Sequence, residues 1–125
     1  MEEVLKIVKE ELTDISVPYE YMMWTSSVNG AYFVGELSET PVDTEDGLKL
    51  YTLLLTGTTR GTWLELEQYR QKIEGHFPAV YGLRKSTANG AAVFYYSHSF
   101  PVPTGEAELK RIEIYIDIKE WRAIT

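Results

Sequence analysis

The chain has 125 residues, the usual size of one domain, and its 44% hydrophobic and 25% charged residues are typical of a globular protein, not a disordered or membrane-embedded one. Its 19 acidic residues outnumber its 12 basic ones, and the net charge of −7 disfavours direct recognition of nucleic acid. Because cysteine is absent, disulfides, thiolate metal sites and thiol nucleophiles are excluded, and a reducing compartment is the natural setting. We therefore expect a single domain over residues 1–125.

The first predicted element is an amphipathic helix over residues 1–14. Apolar side chains recur at intervals of three and four residues while lysine and glutamate fill the opposite face. The apolar positions are Val4, Leu5, Ile7, Val8 and Leu12. Glu2 and Glu3 open the segment and no continuous apolar run follows, so we expect neither a signal peptide nor a membrane span here. Pro18 is expected to close the helix.

Two strands are predicted next. Residues 19–25 are rich in tyrosine, methionine and tryptophan, and a turn-forming cluster at residues 26–30 bounds them. Asn29 and Gly30 are a hairpin signal. Residues 31–39 then make a second strand, which ends before Pro41.

A third and longer strand is predicted over residues 48–56. The acidic loop at residues 42–47 leads into it, and Gly57 and Gly61 bracket its exit. The strand is therefore expected to end in a short turn.

A central helix is predicted to begin at Thr62. Thr62 and Glu65 have the spacing of a capping box, in which the hydroxyl and the carboxylate each bond to the other residue's backbone N–H. Gly75 and Pro78 mark the end of the helix. Its expected apolar stripe comprises Trp63, Leu66, Tyr69, Ile73 and Phe77.

Two or three more strands are predicted after the central helix. They are a short piece over residues 80–83, then residues 91–100 after the Asn89–Gly90 turn, then residues 108–121 after the loop at 101–105. Runs of strands without a repeating βαβ unit favour an α+β fold. We expect a mainly antiparallel β-sheet, with an N-terminal helix and a central helix packed on it.

The sequence predicts no catalytic or metal site. His76 and His98 belong to no HxxxH or HxH pattern. We expect His76 to cap the end of its helix, where a cation is favourable, and His98 to be a half-buried strand residue. No G-x-S-x-G elbow or S-x-x-K motif marks an activated serine. We therefore expect no enzyme activity, no bound metal and no cofactor.

Two loops allow both a structural and a functional interpretation. The turn at residues 57–61 resembles a phosphate cradle in composition but lacks the P-loop lysine, so a tight strand-to-helix turn is favoured. Asp43, Glu45 and Asp46 miss the twelve-residue calcium pattern. They make either a solvated loop or an electrostatic surface aimed at a partner or at a passage for polyanions.

The last strand has the most regular pattern. Every second residue from Ile112 to Ile118 is isoleucine, so one face is expected to pack on the core while Glu113, Tyr115 and Asp117 lie on the other. At a sheet edge this strand would invite pairing with a neighbouring chain. An internal position is the equally open alternative, because edge position is not encoded in the pattern.

Four stretches carry a family resemblance: residues 32–39 (YFVGELSE), 45–47 (EDG), 53–57 (LLLTG) and 62–67 (TWLELE). Together they resemble small morphogenesis proteins of phages and prophages of Gram-positive bacteria. They are most similar to the tail terminator, or tail-to-head joining, group of long-tailed phages. The element order is similar to that group across nearly the whole chain.

The resemblance implies a structural role in virion assembly. Such a subunit forms a hexameric ring that ends tail-tube growth, and it makes the tail side of the joint with the head. Its partners would be further copies of itself and the tail-tube and head-completion proteins, in the host cytoplasm during assembly and then in the virion tail. DNA would pass the acidic lumen without sequence-specific binding. A head-completion protein or another minor tail protein is an alternative of the same class.

Within such an assembly, the loop at residues 41–47 and the strands at 32–39 and 111–118 are the expected contact elements. The candidate interface or lumen residues are Asp43, Glu45, Asp46, Arg60, Glu113, Tyr115 and Asp117.

A different class of function is suggested by the C-terminal strand. Residues 112–119 (IEIYIDIK) resemble the closing strand of GyrI-like effector-binding domains, which bind small molecules in an aromatic cleft with a buried glutamate. Asp117 stands where that family favours proline. The alternative function is therefore a small-molecule-binding module.

Overall fold

In the computed structural model, the described residues 1–24, 30–41 and 47–122 form two α-helices and a six-stranded sheet. In chain order the elements are α1 (Glu2–Asp14), β1 (Tyr19–Tyr21), β2 (Tyr32–Thr40), β3 (Leu48–Thr59), α2 (Trp63–His76), β4 (Leu83–Thr87), β5 (Gly90–Val102) and β6 (Lys110–Arg122). The predicted α+β class is confirmed.

The strands lie in the order β1-β2-β3-β6-β5-β4. Every neighbouring pair is antiparallel except β1 and β2, which run parallel. The last strand of the chain therefore lies in the middle of the sheet, hydrogen-bonded to β3 on one side and β5 on the other. This internal position removes the edge-pairing interpretation of the isoleucine-rich strand, because its backbone groups are already paired.

One face of the sheet and both helices enclose the core. The four isoleucines of β6 from Ile112 to Ile118 are at most 6% exposed, as the alternating pattern predicted. Val4, Val8 and Leu12 of α1 and Leu66 and Ile73 of α2 belong to the same buried cluster. Both helices therefore pack on the same side of the sheet.

The strand predicted over residues 19–25 is shorter than expected. β1 ends at Tyr21 because Met22 has a φ of 67°, in the left-handed region that an extended strand does not allow. Met22 and Met23 are 60% and 70% exposed. The predicted turn at residues 26–29 lies outside the described residues.

The turn between β3 and α2 is also shorter than predicted, since β3 continues through Gly57 to Thr59. Residue 57 is inside the strand, and it is a glycine because the Phe33 ring of β2 occupies the space that a side chain would need.

Only one of the two hydrogen bonds of the predicted capping box forms. The backbone N–H of Glu65 donates to Thr62 Oγ1 at 3.3 Å. The Glu65 carboxylate accepts instead from the backbone N–H of Ala31 and from the Thr59 hydroxyl. Trp63, predicted in the apolar stripe, is 48% exposed.

The prediction of a short strand over residues 80–83 is wrong. The segment is a turn in which the Gly82 N–H donates to the Pro78 carbonyl at 2.9 Å and Gly82 has a φ of 70°. Val80 and Tyr81 are each 79% exposed, so they are not strand residues packed on a core. β4 begins only at Leu83. In the described ranges no helix is long and apolar enough to cross a membrane.

Candidate functional site

The side of the sheet that faces away from both helices, here called the open face, carries the largest set of predicted interface residues. The register of β6 with β3 and β5 fixes its rows: Leu54, Tyr115 and His98 lie in one row, and Thr56, Glu113 and Phe100 in the next. The residues that define the centre of the open face are Val34, Leu54, His98, Phe100, Glu113, Tyr115 and Asp117.

The centre of the open face is aromatic. The ring of His98 stacks on Tyr115 with centroids 4.5 Å apart and planes 14° from parallel, and Phe100 lies 5.9 Å from Tyr115. A β-bulge at Ser97 makes this stack possible, because the extra residue shifts His98 and Phe100 onto the face that Tyr95 already occupies. Phe100 is 43% exposed. The cluster is therefore accessible to a partner.

Glu113 and Tyr115 are linked to each other. The Tyr115 hydroxyl donates to Glu113 Oε2 at 3.0 Å. That hydrogen bond, with burial and the nearby negative charge adding to it, raises the pKa of Tyr115 above its usual value. The hydrogen bond thus fixes the Glu113 carboxylate beside the Tyr115 phenol on the open face.

Arg60 lies at one end of the open face, beside a cavity of about 560 Å³. The cavity is bounded by the end of β3 with Thr58 and Thr59, by Tyr32 of β2, and by Arg111 of β6. Arg60 is close to Glu106, at 3.9 Å, but both side chains are more than 60% exposed. An ion pair this exposed to solvent contributes little to the stability of the fold. The guanidinium groups of Arg60 and Arg111 both lie at the wall of the cavity.

The phosphate interpretation of this turn is disfavoured by Glu65. Its carboxylate lines the same cavity, and a Cβ added at Gly61 would lie 2.8 Å from Glu65 Oε2. A negative charge therefore already occupies the start of α2, where a phosphate would otherwise bind to the free amides.

The predicted site residues have three outcomes. Glu113, Tyr115 and Asp117 lie together on the open face, and Arg60 lies at its end beside the cavity. Asp43, Glu45 and Asp46 lie outside the described residues.

The two histidines differ from their predicted environments in different ways. His76 is the last residue of α2, as expected, but its Nε2 contacts a buried carboxylate, Glu11 Oε1, at 3.0 Å. His98 is exposed, not half-buried. Across the described ranges, no group of three or more His, Asp or Glu side chains is placed to hold a metal ion.

Arg111 lines the cavity but was not among the predicted site residues, although it opens the contact strand expected at residues 111–118. Arg111 precedes the isoleucine run, and the same alternation that selected Glu113 places it on the open face. Trp63 was predicted in the apolar stripe of α2 and Leu64 was assigned to neither side of the helix, and the two side chains are 48% and 64% exposed. Only the position of the helix start relative to the sheet could have predicted this exposure. No protein-family model and no curated protein matches this sequence.

Proposed function

We propose that this chain is a structural subunit of a phage or prophage tail, a tail terminator that forms a ring at the head-proximal end of the tail and joins tail to head. The role involves no catalysis and no cofactor. The observation that carries the proposal is the open face, an aromatic and aliphatic sheet surface to which the two described helices contribute no cover.

A sheet usually buries its apolar face against another layer, and exposed apolar surfaces of this kind mark contacts between proteins. Here Leu54, Tyr115 and Phe100 lie side by side across three strands, with Glu113 and Asp117 among them. This mixture of aromatic centre and charged neighbours is typical of a surface that is solvated before assembly and covered afterwards.

The charge supports the same role. With 19 acidic and 12 basic residues, a ring of such subunits is strongly negative and repels the DNA that passes through it. The proposed partners are further copies of the chain, the tail-tube protein and a head-completion protein. The proposed location is the host cytoplasm during assembly and then the virion tail.

Ring formation is the direct test. Light scattering and negative-stain imaging of the purified chain, over a concentration series and with or without tail tubes, should reveal rings or caps on tube ends. Tyr115→Lys and Leu54→Lys should abolish them without lowering the melting temperature by more than a few degrees, because both side chains lie outside the core. Glu10→Lys on the exposed side of α1 is the matched control. A chain that is monomeric at every concentration and ignores tail tubes contradicts the proposal.

A head-completion protein or another minor tail protein is distinguished by what the chain caps. A tail terminator binds the end of an isolated tail tube, whereas a head-completion protein binds DNA-filled heads first. Incubating the chain separately with tubes and with heads, followed by sedimentation, separates the two roles.

A second candidate function, the small-molecule-binding module, is favoured by a different observation. An aromatic cleft of about 530 Å³ lies between α1 and β1 and is lined by Tyr19, Tyr21, Met23 and two lysines. The aromatic rings of Tyr19 and Tyr21 give the cleft an apolar wall, and Lys6 and Lys9 add positive charge to it, so it would suit an aromatic anion.

Anilinonaphthalene sulfonate, an aromatic anion, is a suitable probe for this cleft. If the module is the function, the dye raises the melting temperature of the chain, and Lys6→Gln with Lys9→Gln weakens its binding. If the dye neither binds nor stabilises, the second candidate loses its support.

A further inference from the structure

Both edges of the sheet include strand segments that have no strand beside them in the described part of the chain. β1 pairs only with residues 33–35 of β2, so residues 36–40 of β2, here called the β2 edge, are unpaired on their outer side. At the opposite edge, β4 pairs with residues 90–94 of β5, and its own outer side, here called the β4 edge, is unpaired. Unpaired edges of this kind are sites where a further strand can add.

The outward backbone groups of the β2 edge follow from the hydrogen bonds just before it. The Gly35 carbonyl accepts from the Met22 N–H at 2.8 Å, and the Leu37 N–H donates to the Tyr21 hydroxyl at 3.2 Å. Because backbone groups alternate between the two sides of a strand, those of Glu39 also face outward. The Leu37 carbonyl and both backbone groups of Glu39 therefore have no strand to bond to within the described ranges.

The outward backbone groups of the β4 edge belong to Arg84 and Ser86. The Tyr96 N–H of β5 donates to the Phe77 carbonyl at 2.9 Å, on the side away from β6, so the even-numbered residues in this part of β5 bond towards β4. Their partners are the odd-numbered residues of β4. The even-numbered residues of β4 consequently direct their N–H and C=O groups to the outer side.

The two edges carry opposite charges. β4 contains Arg84 and Lys85 and no acidic residue, whereas the β2 edge contains Glu36 and Glu39 and no basic residue. Arg84 and both glutamates are exposed and form no ion pair with the described residues. Lys85 pairs with Glu11 of its own chain at 3.3 Å, but its side chain is still 39% exposed. The β4 edge and the β2 edge are therefore complementary in charge.

This distribution of charge disfavours the pairing of like edges. Two β4 edges would place the arginines and lysines of both copies side by side, and two β2 edges would do the same with the glutamates. Only a contact between unlike edges joins opposite charges. Such a contact is heterologous, and it generates a closed ring when the rotation between successive copies closes.

We propose that β4 of one copy of this chain adds as a parallel strand to the β2 edge of the next copy, so that one sheet continues across the two subunits. Each step from β2 through β3, β6 and β5 to β4 reverses the chain direction, so β4 runs in the same direction as β2. Copies that continue the sheet with their helices on the same side therefore pair these strands in parallel. The inference rests on the ring of the proposed function, and it names the contact that closes it.

One register uses all the open backbone groups of the β2 edge. It places Arg84 opposite Ser38 of the next copy. The Arg84 N–H then donates to the Leu37 carbonyl, the Glu39 N–H donates to the Arg84 carbonyl, and the Ser86 N–H donates to the Glu39 carbonyl. The pairing ends there, because the next residue of β2, Pro41, has no N–H.

The side chains agree with the same register. Arg84 lies on the open face beside Ser38 and one position diagonally from Glu36, while Lys85 lies opposite Glu39 on the helix side of the sheet. Cross-strand neighbours at these positions are within reach of long side chains. Both basic residues of β4 thus gain a carboxylate of the next copy.

The register also brings together two exposed apolar segments. Met22 and Met23 follow the end of β1 and are 60% and 70% exposed, and Val80 and Tyr81 precede β4 and are each 79% exposed. β1 and the added β4 lie end to end along the same side of β2, so these segments meet where the two strands adjoin. Their mutual burial adds apolar area to the contact.

Cysteine crosslinking tests the register, because the chain contains no cysteine of its own. Ser86 lies opposite Thr40 in the proposed pairing, and both residues are exposed. Oxidation of a mixture of full-length Ser86→Cys and Thr40→Cys should give a disulfide-linked dimer on a non-reducing gel, and the double variant should give a ladder of oligomers. Ser97→Cys, an exposed serine on β5, is the matched control. Mixed with Thr40→Cys, it should give about tenfold less dimer, because its Cα is too far from Thr40 for a disulfide.

Two results of this experiment contradict the proposal. One is equal crosslinking of Thr40→Cys with Ser86→Cys and with Ser97→Cys, which indicates random collision. The other is efficient crosslinking of Ser86→Cys alone or of Thr40→Cys alone, which indicates that like edges pair.

A charge exchange tests the contact by a second route. Arg84→Glu and Glu36→Arg should each weaken self-association about tenfold or more, measured by sedimentation over a concentration series, alone or on tail tubes. The double variant exchanges the two charges and should return association to within about threefold of the wild type. Lys72→Glu makes the same charge change on the exposed side of α2, and it should alter association less than about twofold. A double variant that associates no better than either single variant overturns the proposal.

Failure of the edge contact and failure of the proposed function have different signatures. If rings or caps form on tail tubes but Ser86→Cys and Thr40→Cys do not crosslink, only the edge contact is excluded. If the two variants crosslink but no ring forms, alone or on tail tubes, the edge contact stands and the tail terminator role fails.

Discussion

His76 Nε2 lies 3.0 Å from Glu11 Oε1, and this contact joins the end of α2 to the inner side of α1. The other oxygen of Glu11 lies 3.3 Å from Lys85 Nζ on β4. The Glu11 side chain is only 8% exposed, whereas those of His76 and Lys85 are 27% and 39% exposed. One buried carboxylate therefore links both helices to an edge strand of the sheet.

Glu11→Ala should destabilise the fold by about 1–2 kcal/mol, because it removes both contacts at once. The loss of stability is smaller than for a fully buried ion pair, because the partly exposed side chains of His76 and Lys85 become hydrated once the carboxylate is gone. Urea unfolding at pH 6 and pH 7 measures it. Glu10→Ala, one residue away on the exposed side of α1, should change stability by less than about 0.5 kcal/mol. Equal effects at the two positions would show that Glu11 contributes nothing through its partners.

Gly57→Ala should destabilise the chain by about 1–3 kcal/mol, because the new methyl group overlaps the Phe33 ring on the neighbouring strand. Gly75→Ala is the matched control. It lies within α2, where an added Cβ meets nothing within 4 Å, so the substitution should stabilise by about 0.5–1 kcal/mol.

Thermal and urea unfolding of Gly57→Ala and Gly75→Ala should show stability changes of opposite sign. Adding Phe33→Leu to Gly57→Ala should recover part of the loss, since the smaller side chain makes room. A double variant whose losses simply add would contradict the contact between Gly57 and Phe33.

The isoleucine alternation of β6 was sufficient to predict which side of the strand is buried, because a period of two allows only one arrangement when one face meets a core. It did not predict the neighbours of the strand. The position of β6 between β3 and β5 depends on pairings between residues far apart in the chain, and no local pattern encodes them.

The candidate site was predictable only where it follows that alternation. Glu113, Tyr115 and Asp117 follow it. The bulge at Ser97, however, moves His98 and Phe100 to the other face of β5, so no pattern in the sequence predicted the stack of His98 and Phe100 with Tyr115. The Glu65 carboxylate had a local partner available at Thr62 and uses Ala31 instead. A long-range contact replaced a local one there, because the start of α2 is packed against the start of β2.

Glu65→Ala should cost about 1–3 kcal/mol, since it leaves the N–H of the buried Ala31 without its acceptor. Glu65→Gln retains an acceptor oxygen and should cost less. Glu74→Ala is the control: its carboxylate pairs with Arg70 at 2.9 Å but is 47% exposed, so the loss should stay below about 0.5 kcal/mol.

Urea unfolding ranks these three variants, and amide hydrogen exchange locates the effect. The Ala31 amide should exchange faster in Glu65→Ala than in Glu74→Ala. Equal exchange rates would contradict the role of Glu65 as the acceptor.

Tyr51 and Glu120 make the chain sensitive to alkaline pH. The Tyr51 hydroxyl donates to Glu120 Oε1 at 3.0 Å, and the two residues are 2% and 1% exposed. Burial, with the hydrogen bond to Glu120 adding to it, raises the pKa of Tyr51 to about 12 from 10.0. The folded chain thus holds this proton more tightly than the unfolded chain. The stability it contributes is fully present below pH 10 and is lost as pH rises towards 12.

Tyr51→Phe should therefore flatten the decrease in stability between pH 10 and 12, while lowering stability at pH 7 by about 1–3 kcal/mol because Glu120 loses a donor. Urea unfolding across this range gives the slope, and tyrosinate absorbance gives the ionisation. Tyr19, whose pKa burial also raises to about 12, keeps part of the slope in the variant. Tyr81→Phe, at a position 79% exposed, should leave the slope unchanged. A Tyr51→Phe variant with the wild-type slope would show that this phenol ionises freely in the folded chain, and the buried pair with Glu120 would then not control the alkaline limit.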